Sequence, residues 1–97
     1  MARLIWAPAA IKDVARLHRF LASKDRQAAQ RTVRAIRGGV RTVAAHPEIG
    51  CPIEDMPVEL RRWFVPFGSN GYVVLYRHDP ELTIILAVRH GREAGYY

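Results

Sequence analysis

The spacing of the apolar residues changes once along the chain, and this change is the strongest constraint on the fold. Apolar side chains recur every three or four residues over positions 11–21 and again over 29–43. That spacing is typical of helices that bury one face. From position 60 onward, short apolar runs alternate with turn sequences, which indicates β-strands. The sequence therefore predicts an α+β domain with its helices first and most of its strands last.

The first half of the chain predicts two helices connected by a short link. The first helix should end near residues 22–24, and Asp25 has the side chain of a good N-cap for the second helix. The apolar spacing keeps its phase through Gly38 and Gly39, so we expect the second helix to continue to residue 46. Close approach to the first helix would explain the two glycines. The short link implies an antiparallel helical hairpin.

The remaining segments predict strands and turns. We expect strands at 3–6, 60–67, 72–77 and 82–90, turns at 68–71 and 78–81, and a proline-containing loop at 47–59. The whole chain, 1–97, is predicted to form a single α+β domain. Its expected architecture is an N-terminal strand followed by an antiparallel helical hairpin packed on a twisted antiparallel sheet of about four strands.

The charge of the chain points to an acidic partner. Its formal net charge is +6, and all but two of its 15 basic residues are arginines. The planar guanidinium group suits phosphates and carboxylates, so nucleic acid and an acidic protein segment both fit. The alternative is that the arginine content reflects a GC-rich genome and says nothing about partners.

The sequence argues against several classes of site and location. Cys51 is the single cysteine, which rules out an internal disulfide and agrees with a reducing cytoplasm. No apolar segment is long enough for a membrane span, and the first residues are too short in apolar length for a secretion signal. The four histidines and Cys51 lack metal-ligand spacing, so we expect neither a metal nor another cofactor.

The end of the last predicted strand concentrates groups suited to catalysis. Histidine titrates near neutral pH and serves as a general acid or base, so His90 is the most informative single residue. With Arg92 and Tyr96 or Tyr97 it would form a ribonuclease set. A base would deprotonate the ribose 2′-hydroxyl, arginines would stabilise the phosphate charge, and an acid would protonate the leaving oxygen. The alternative is a strand-end histidine that bonds a backbone group.

The predicted strands also supply a candidate basic surface. Arg61 and Arg62 are adjacent in one strand, so their side chains should face opposite ways, with one on the open side of the sheet. The candidate target- or partner-binding residues are Arg61, Arg62, Trp63, Arg77, Arg89, His90, Arg92 and Tyr97. The alternative is a solvated strand face. The arginines at 34, 37 and 41 of the second helix are likewise interpreted as a solvated helix face.

An ordered set of short motifs covers nearly the whole chain. They are "WAPAAIKDV" at 6–14, "HPEIGCPI" at 46–53, "ELRRWFV" at 59–65, "GYVVLYR" at 71–77 and "ILAVRHGRE" at 85–93. Together they resemble the RelE/ParE superfamily of type II toxins, and more narrowly its ParE branch, often described as plasmid-stabilisation proteins. The resemblance implies a helical hairpin on an antiparallel sheet, which is the fold expected from the residue pattern.

The resemblance implies one of two activities for this fold. ParE-like toxins inhibit DNA gyrase and block replication, whereas RelE-like toxins are ribosome-dependent endoribonucleases that cut mRNA. Toxins of both kinds are neutralised by a cognate antitoxin with an acidic tail, which predicts a toxin–antitoxin hetero-oligomer. A degenerate relative that only binds partners is a third interpretation.

The same resemblance assigns residues to the nuclease alternative. A nuclease would use Arg62, His90, Arg92 and Tyr96, with Glu54 or Glu59 as a further candidate. The lysine cluster of RelE-like sites is missing, because no lysine follows Lys24. We therefore favour a gyrase inhibitor with no chemistry of its own over an mRNA endoribonuclease.

Overall fold

Two helices and five strands make up the fold in the computed structural model, which describes residues 3–92. The elements are β1 (Arg3–Trp6), α1 (Pro8–Ala22), α2 (Arg26–Ala45), β2 (Cys51–Pro52), β3 (Leu60–Phe67), β4 (Asn70–His78) and β5 (Leu82–His90). The strands form one sheet in the order β1-β5-β4-β3-β2. The predicted α+β architecture, with a helical hairpin on a mostly antiparallel sheet, is confirmed.

The sheet differs from the prediction in two respects. It has five strands instead of about four, because Cys51 and Pro52 pair with β3 inside the segment that was predicted to be a loop. In addition, β1 pairs with β5 in the parallel direction, while the other neighbours are antiparallel. Parallel neighbours cannot be joined by a tight turn, and here the two helices and three strands between β1 and β5 form the connection.

The helix ends follow local side-chain chemistry. Pro8 occupies the first turn of α1, where its missing N–H removes no helical hydrogen bond. Asp25 caps α2 as predicted: one carboxylate oxygen accepts from the backbone N–H groups of Gln27 and Ala28 at 3.0 and 3.1 Å. Helix α2 continues through both glycines to Ala45, also as predicted.

The core lies between the helical hairpin and one face of the sheet. Its fully buried side chains include Ile36 and Val43 of α2, Val74 and Tyr76 of β4, and Ile85 of β5. A buried hydrogen bond between the Thr32 and Tyr72 hydroxyls, 2.9 Å long, ties the first half of α2 to β4. The middle of the helix-facing side of the sheet is therefore mostly apolar, and the Tyr72 hydroxyl has its partner on α2.

The two adjacent glycines of α2 have different surroundings. A Cβ added to Gly39 would collide with the Val65 side chain of β3, whereas nothing lies within 4 Å of a Cβ added to Gly38. The expectation that these glycines permit close approach to the first helix is therefore wrong for Gly39. The close approach is to the sheet, because α2 packs directly over β3.

The segment after α2 is held against the sheet by Tyr76. The Tyr76 hydroxyl donates to the Pro47 carbonyl oxygen at 2.7 Å and accepts from the Gly50 N–H at 2.9 Å. The guanidinium of Arg61 donates to the carbonyl oxygens of Glu48 and Gly50 at 3.1 and 2.8 Å. These bonds satisfy the backbone of residues 47–50, which therefore forms an ordered approach to β2.

Alanine substitutions at the two glycines should have opposite effects. Gly38→Ala should raise the free energy of unfolding by about 0.5–1 kcal/mol, because alanine favours a helix and the site is open. The free energy of unfolding of Gly39→Ala should be roughly 1–3 kcal/mol lower than that of Gly38→Ala, because Val65 must move to accept the new methyl group. Urea denaturation of both variants measures this difference, and equal shifts would contradict the packing of α2 on β3.

Removing the Tyr76 hydroxyl should destabilise the segment at 47–50. Tyr76→Phe leaves Pro47 and Gly50 without their side-chain partner, which should cost about 1–3 kcal/mol of unfolding free energy at neutral pH. Hydrogen exchange at residues 47–50 should accelerate. Tyr72→Phe is the matched control, because its hydroxyl bonds Thr32 and not this segment. Equal protection of residues 47–50 in both variants would contradict the assignment.

The same substitution should change the alkaline stability of the protein. Burial raises the pKa of Tyr76 above its ordinary value. The unfolded chain therefore loses this proton first, so the stabilisation is complete below about pH 10 and declines as pH rises through the folded-state pKa. Denaturation curves collected from pH 8 upward should fall more steeply for wild type than for Tyr76→Phe. Parallel curves would show that Tyr76 is not the group responsible.

Candidate functional site

One face of the sheet carries no helix, and it is called the open face here. Alternate residues of β3, β4 and β5, including Val65, Tyr72, Val74 and Val88, are buried on the helix side, so their neighbours lie on the open face. The open-face residues include Ile5, Arg62, Phe64, Val73, Leu75, Arg77, Ile84, Ala87 and, by register, Arg89. Phe64 is 47% exposed and Ile5 is 40% exposed. The open face therefore combines accessible apolar side chains with arginines.

Arg62 lies on this surface in β3, next to the two-residue edge strand β2. It pairs with Leu75 across β3 and β4 and with Cys51 of β2, which places it beside apolar side chains of the neighbouring strand. Among residues 3–92 it forms no ion pair. A half-buried arginine with an uncompensated charge is well suited to bind an acidic group of a partner.

Arg77 lies on the same face but is engaged by acidic neighbours. Its guanidinium contacts Asp79 at 3.2 Å and Glu59 at 3.8 Å. Exposed pairs of this kind contribute at most about 1 kcal/mol to stability, so a stronger partner displaces them easily. Arg77 is therefore a weaker candidate for target binding than Arg62.

The other two predicted binding residues of β3 lie on the helix side of the sheet. Arg61 is bonded to the carbonyl groups of Glu48 and Gly50, and Trp63 packs against the core. The prediction that the tandem arginines face opposite ways is confirmed, with Arg62 on the open face. The contacts of Arg61 and Trp63 give both residues a part in holding the fold.

The end of β5 brings Arg89, His90 and Arg92 close together along the chain. The His90 ring makes an edge-on contact with Tyr72, with 5.6 Å between ring centroids. Its Nδ1 atom accepts from the backbone N–H of Arg92 at 3.2 Å, and the Gly91 N–H donates to the Gly71 carbonyl oxygen at 2.8 Å. This backbone contact is the alternative that the sequence left open for a strand-end histidine.

The predicted nuclease residues are divided between the two faces of the sheet. His90 pairs with Tyr72, whose hydroxyl bonds Thr32 of α2, so His90 lies on the helix side. Arg62 lies on the open face, two strands away. The described residues therefore do not bring His90 and Arg62 to one phosphate. Tyr96 and Tyr97 lie outside the described residues.

The described residues contain neither a cluster of metal ligands nor a helix that could span a membrane. Between residues 3 and 92, no three His, Cys, Asp or Glu side chains are arranged to hold a metal ion. In the same part of the chain, neither helix combines the length and the apolar character needed to cross a bilayer.

An apolar groove between the helical hairpin and β1 was not predicted. Its volume is about 660 Å³, and it is lined by Leu4, Trp6, Ile11, Val14, Ala15, His18, Arg19, Val33, Arg37, Val40 and Arg41. Ile11 was predicted to belong to the buried stripe of α1, but its side chain is 56% exposed at the groove. The sequence did contain a sign of a second apolar surface on α1, because its apolar positions extend beyond a single stripe to Ala15 and Phe20.

The rim of this groove is basic. Helix α2 contains five arginines and no acidic residue, and Arg37 and Arg41 border the groove with Arg19 of α1. Within the part of the chain that is described, these three arginines make no ion pair. The arginine row of α2, interpreted from sequence as a solvated face, therefore adjoins a concave apolar surface.

Comparisons with known proteins agree with this architecture. A sequence model of the family described as "ParE toxin of type II toxin-antitoxin system, parDE" matches residues 4–95. "Toxin RelE3" of Caulobacter vibrioides is 31% identical over 86 residues, which cover 89% of this chain and 90% of that protein.

Two solved structures share the fold at low sequence identity. "Chromosomal ParDE TA system from P. aeruginosa" superposes with a TM-score of 0.73 at 15% identity, covering 93% of this chain and 96% of the other. The toxin–antitoxin complex RelBE2 from Mycobacterium tuberculosis gives a TM-score of 0.59 at 20% identity, covering 92% and 96%. The match over residues 4–95 shows that the chain belongs to the ParE toxin family of type II toxin–antitoxin systems, within the RelE/ParE superfamily.

Proposed function

We propose that this toxin binds and inhibits DNA gyrase in the cytoplasm, without chemistry of its own, and thereby blocks replication. The division of Arg62 and His90 between the two faces of the sheet is the observation that supports binding over catalysis. A nuclease needs its acid or base and the arginine that stabilises the phosphate charge within reach of one substrate. The ParE-like motif order and the absence of lysine after Lys24 support gyrase as the target.

The open face is the proposed target-binding surface. It offers exposed Phe64 next to Arg62 on β3 and exposed Ile5 on β1, at the other edge of the sheet. Aromatic residues and arginine are enriched in the energetically important parts of protein interfaces. Arg92, which is exposed at the end of β5, extends the basic character toward one border. The surface therefore fits a protein partner that presents carboxylates around an apolar contact.

A ribosome-dependent endoribonuclease is the second candidate. One observation favours it: the His90 Nδ1 atom accepts a hydrogen bond from the Arg92 backbone N–H, which favours the tautomer with its proton on Nε2. In this alternative, His90, Arg92 and Tyr96 would act on mRNA without Arg62. An interaction-only relative is the third interpretation and would leave cell growth unaffected.

We also propose that a cognate antitoxin neutralises this toxin by placing an acidic amphipathic segment in the groove between α1, α2 and β1. The apolar floor fits the buried side of a helix, and the arginines of the rim fit carboxylates on its flanks. The two structural relatives are toxin–antitoxin assemblies by their titles, which supports a partner of this kind. The expected product is a toxin–antitoxin hetero-oligomer.

The choice of target predicts the order in which synthesis stops. After induced expression in growing cells, DNA synthesis should fall before protein synthesis, and purified protein should inhibit supercoiling by gyrase. Labelled precursor uptake measures the first effect, and a gel assay of plasmid topology measures the second. An early fall in protein synthesis with cut mRNA would instead support the endoribonuclease.

The same assay tests the surface. Arg62→Ala should raise the half-inhibitory concentration at least about tenfold, because an interface hot-spot arginine contributes about 2 kcal/mol or more and about 1.4 kcal/mol is tenfold. Arg26→Ala, which removes the same charge from an exposed position on α2, is the matched control and should inhibit as wild type. Both variants should unfold at the wild-type temperature. Equal inhibition by the two variants would contradict the open-face proposal.

The groove should control neutralisation independently of toxicity. Ile11→Asp places a carboxylate on the exposed part of the groove, so antitoxin affinity should fall at least about tenfold while gyrase inhibition persists. Ala9→Asp adds the same charge to an exposed position of α1 outside the groove lining and should bind antitoxin as wild type. Calorimetric titration measures both affinities. Unchanged binding by Ile11→Asp would place the antitoxin elsewhere.

A further inference from the structure

We propose that Asp13 of α1 is a positioning residue for the target-binding surface, acting through Arg89 to orient the end of β5. This inference rests on the proposed function, because it concerns the same surface. It is carried by two contacts of one carboxylate: Asp13 Oδ2 accepts from the Val88 backbone N–H at 2.9 Å, and Oδ1 forms an ion pair with the Arg89 guanidinium.

The first contact adds a hydrogen bond to the outer edge of β5 beyond the point where its pairing with β1 ends. The pairing of β1 with β5 ends at Trp6 and Ile85, and the last backbone bond on this edge is from the Ala7 N–H to the Ile85 carbonyl oxygen at 2.8 Å. Past this point α1 begins, so no strand from β1 meets Val88. The Asp13 carboxylate supplies the missing acceptor, which gives the otherwise open edge a charge-assisted hydrogen bond.

The second contact determines where Arg89 points. Arg89 pairs with Val73, so strand alternation alone would direct it to the open face. The ion pair draws its guanidinium to the edge of β5 instead, where the Asp13 side chain is only 13% exposed and that of Arg89 is 32% exposed. A carboxylate this buried restrains its cation more firmly than an exposed pair does. Arg89 thus has a defined position at the border of the open face.

Asp13 is also the only acidic residue within either helix. The chain has 13 arginines, and the Asp13 carboxylate forms its ion pair with Arg89, which is 76 positions away in sequence. The pair therefore links α1, which lines the groove, to the strand end that carries His90 and Arg92. A change at Asp13 should reach the target surface through Arg89 without altering any other open-face side chain.

A double-mutant cycle tests this linkage. Asp13→Asn keeps an oxygen that can accept from Val88 but removes the charge that holds Arg89, and Arg89→Ala removes the partner. Each should raise the half-inhibitory concentration for gyrase about tenfold. The double variant should inhibit as well as the more impaired of the two single variants, because both substitutions break the same ion pair. Thermal unfolding corrects each value for the folded fraction.

Hydrogen exchange separates the two contacts. The Val88 amide should exchange faster in Asp13→Ala than in Asp13→Asn, since only the second variant retains an acceptor. Inhibition by Asp13→Asn at the wild-type concentration would overturn the proposal. So would a double variant whose effect is the product of the two single effects, because a purely structural role would act independently of Arg89.

The same variants distinguish this inference from the proposed target. Wild-type protein that arrests growth but leaves gyrase active would overturn the gyrase proposal alone. Growth inhibition by the two single variants and the double variant would then decide the role of Asp13. We expect the losses of growth inhibition to be non-additive. Wild-type protein that affects neither gyrase nor growth would overturn both proposals.

Discussion

Strand β5 is hydrogen-bonded on both sides, to β1 in the parallel direction and to β4 in the antiparallel direction. This position in the sheet makes the other elements depend on it. The helix-facing side chains of Ile85 and Val88 are fully buried, and α1 follows directly from the strand that pairs with β5. A strand in this position must be apolar on one face and supported along its whole length, because an unpaired backbone group near the core is costly.

The support of β5 is completed by different means at its two ends. Near its start, the parallel pairing with β1 supplies backbone partners; near its end, a helix side chain supplies one. The candidate residues Arg89, His90 and Arg92 lie where strand pairing on the outer edge has already ended. This arrangement gives the end of the strand accessible side chains without leaving its backbone unsatisfied, and it explains why polar residues follow directly after an apolar run.

Much of the fold could be predicted from sequence because its signals are local. The apolar spacing defined both helices, the Asp25 cap marked the start of α2, and the bounds of β3 and β5 were predicted correctly. The parallel position of β1 and the pairing of Cys51 with Arg62 could not be predicted in this way, because each depends on contacts between distant parts of the chain. The role of Gly39 was misassigned for the same reason, since Val65 lies 26 positions further along.

The candidate site was less predictable than the fold. Alternation placed one of Arg61 and Arg62 on the open face, but which one required knowledge of the side covered by the helices. The pairing of Arg89 with Asp13 and the separation of His90 from Arg62 are properties of the assembled sheet. The groove was missed because its lining comes from three elements, each of which was interpreted separately as core or as solvated surface.

The absence of acidic residues from α2 has a kinetic consequence. Five arginines along one helix create a positive field that extends about one Debye length, or roughly 8 Å at physiological salt, into the solvent. Such a field raises the association rate of an oppositely charged chain more than it raises final affinity. For an acidic partner of the kind proposed above, this field would make the association rate fall as the salt concentration rises.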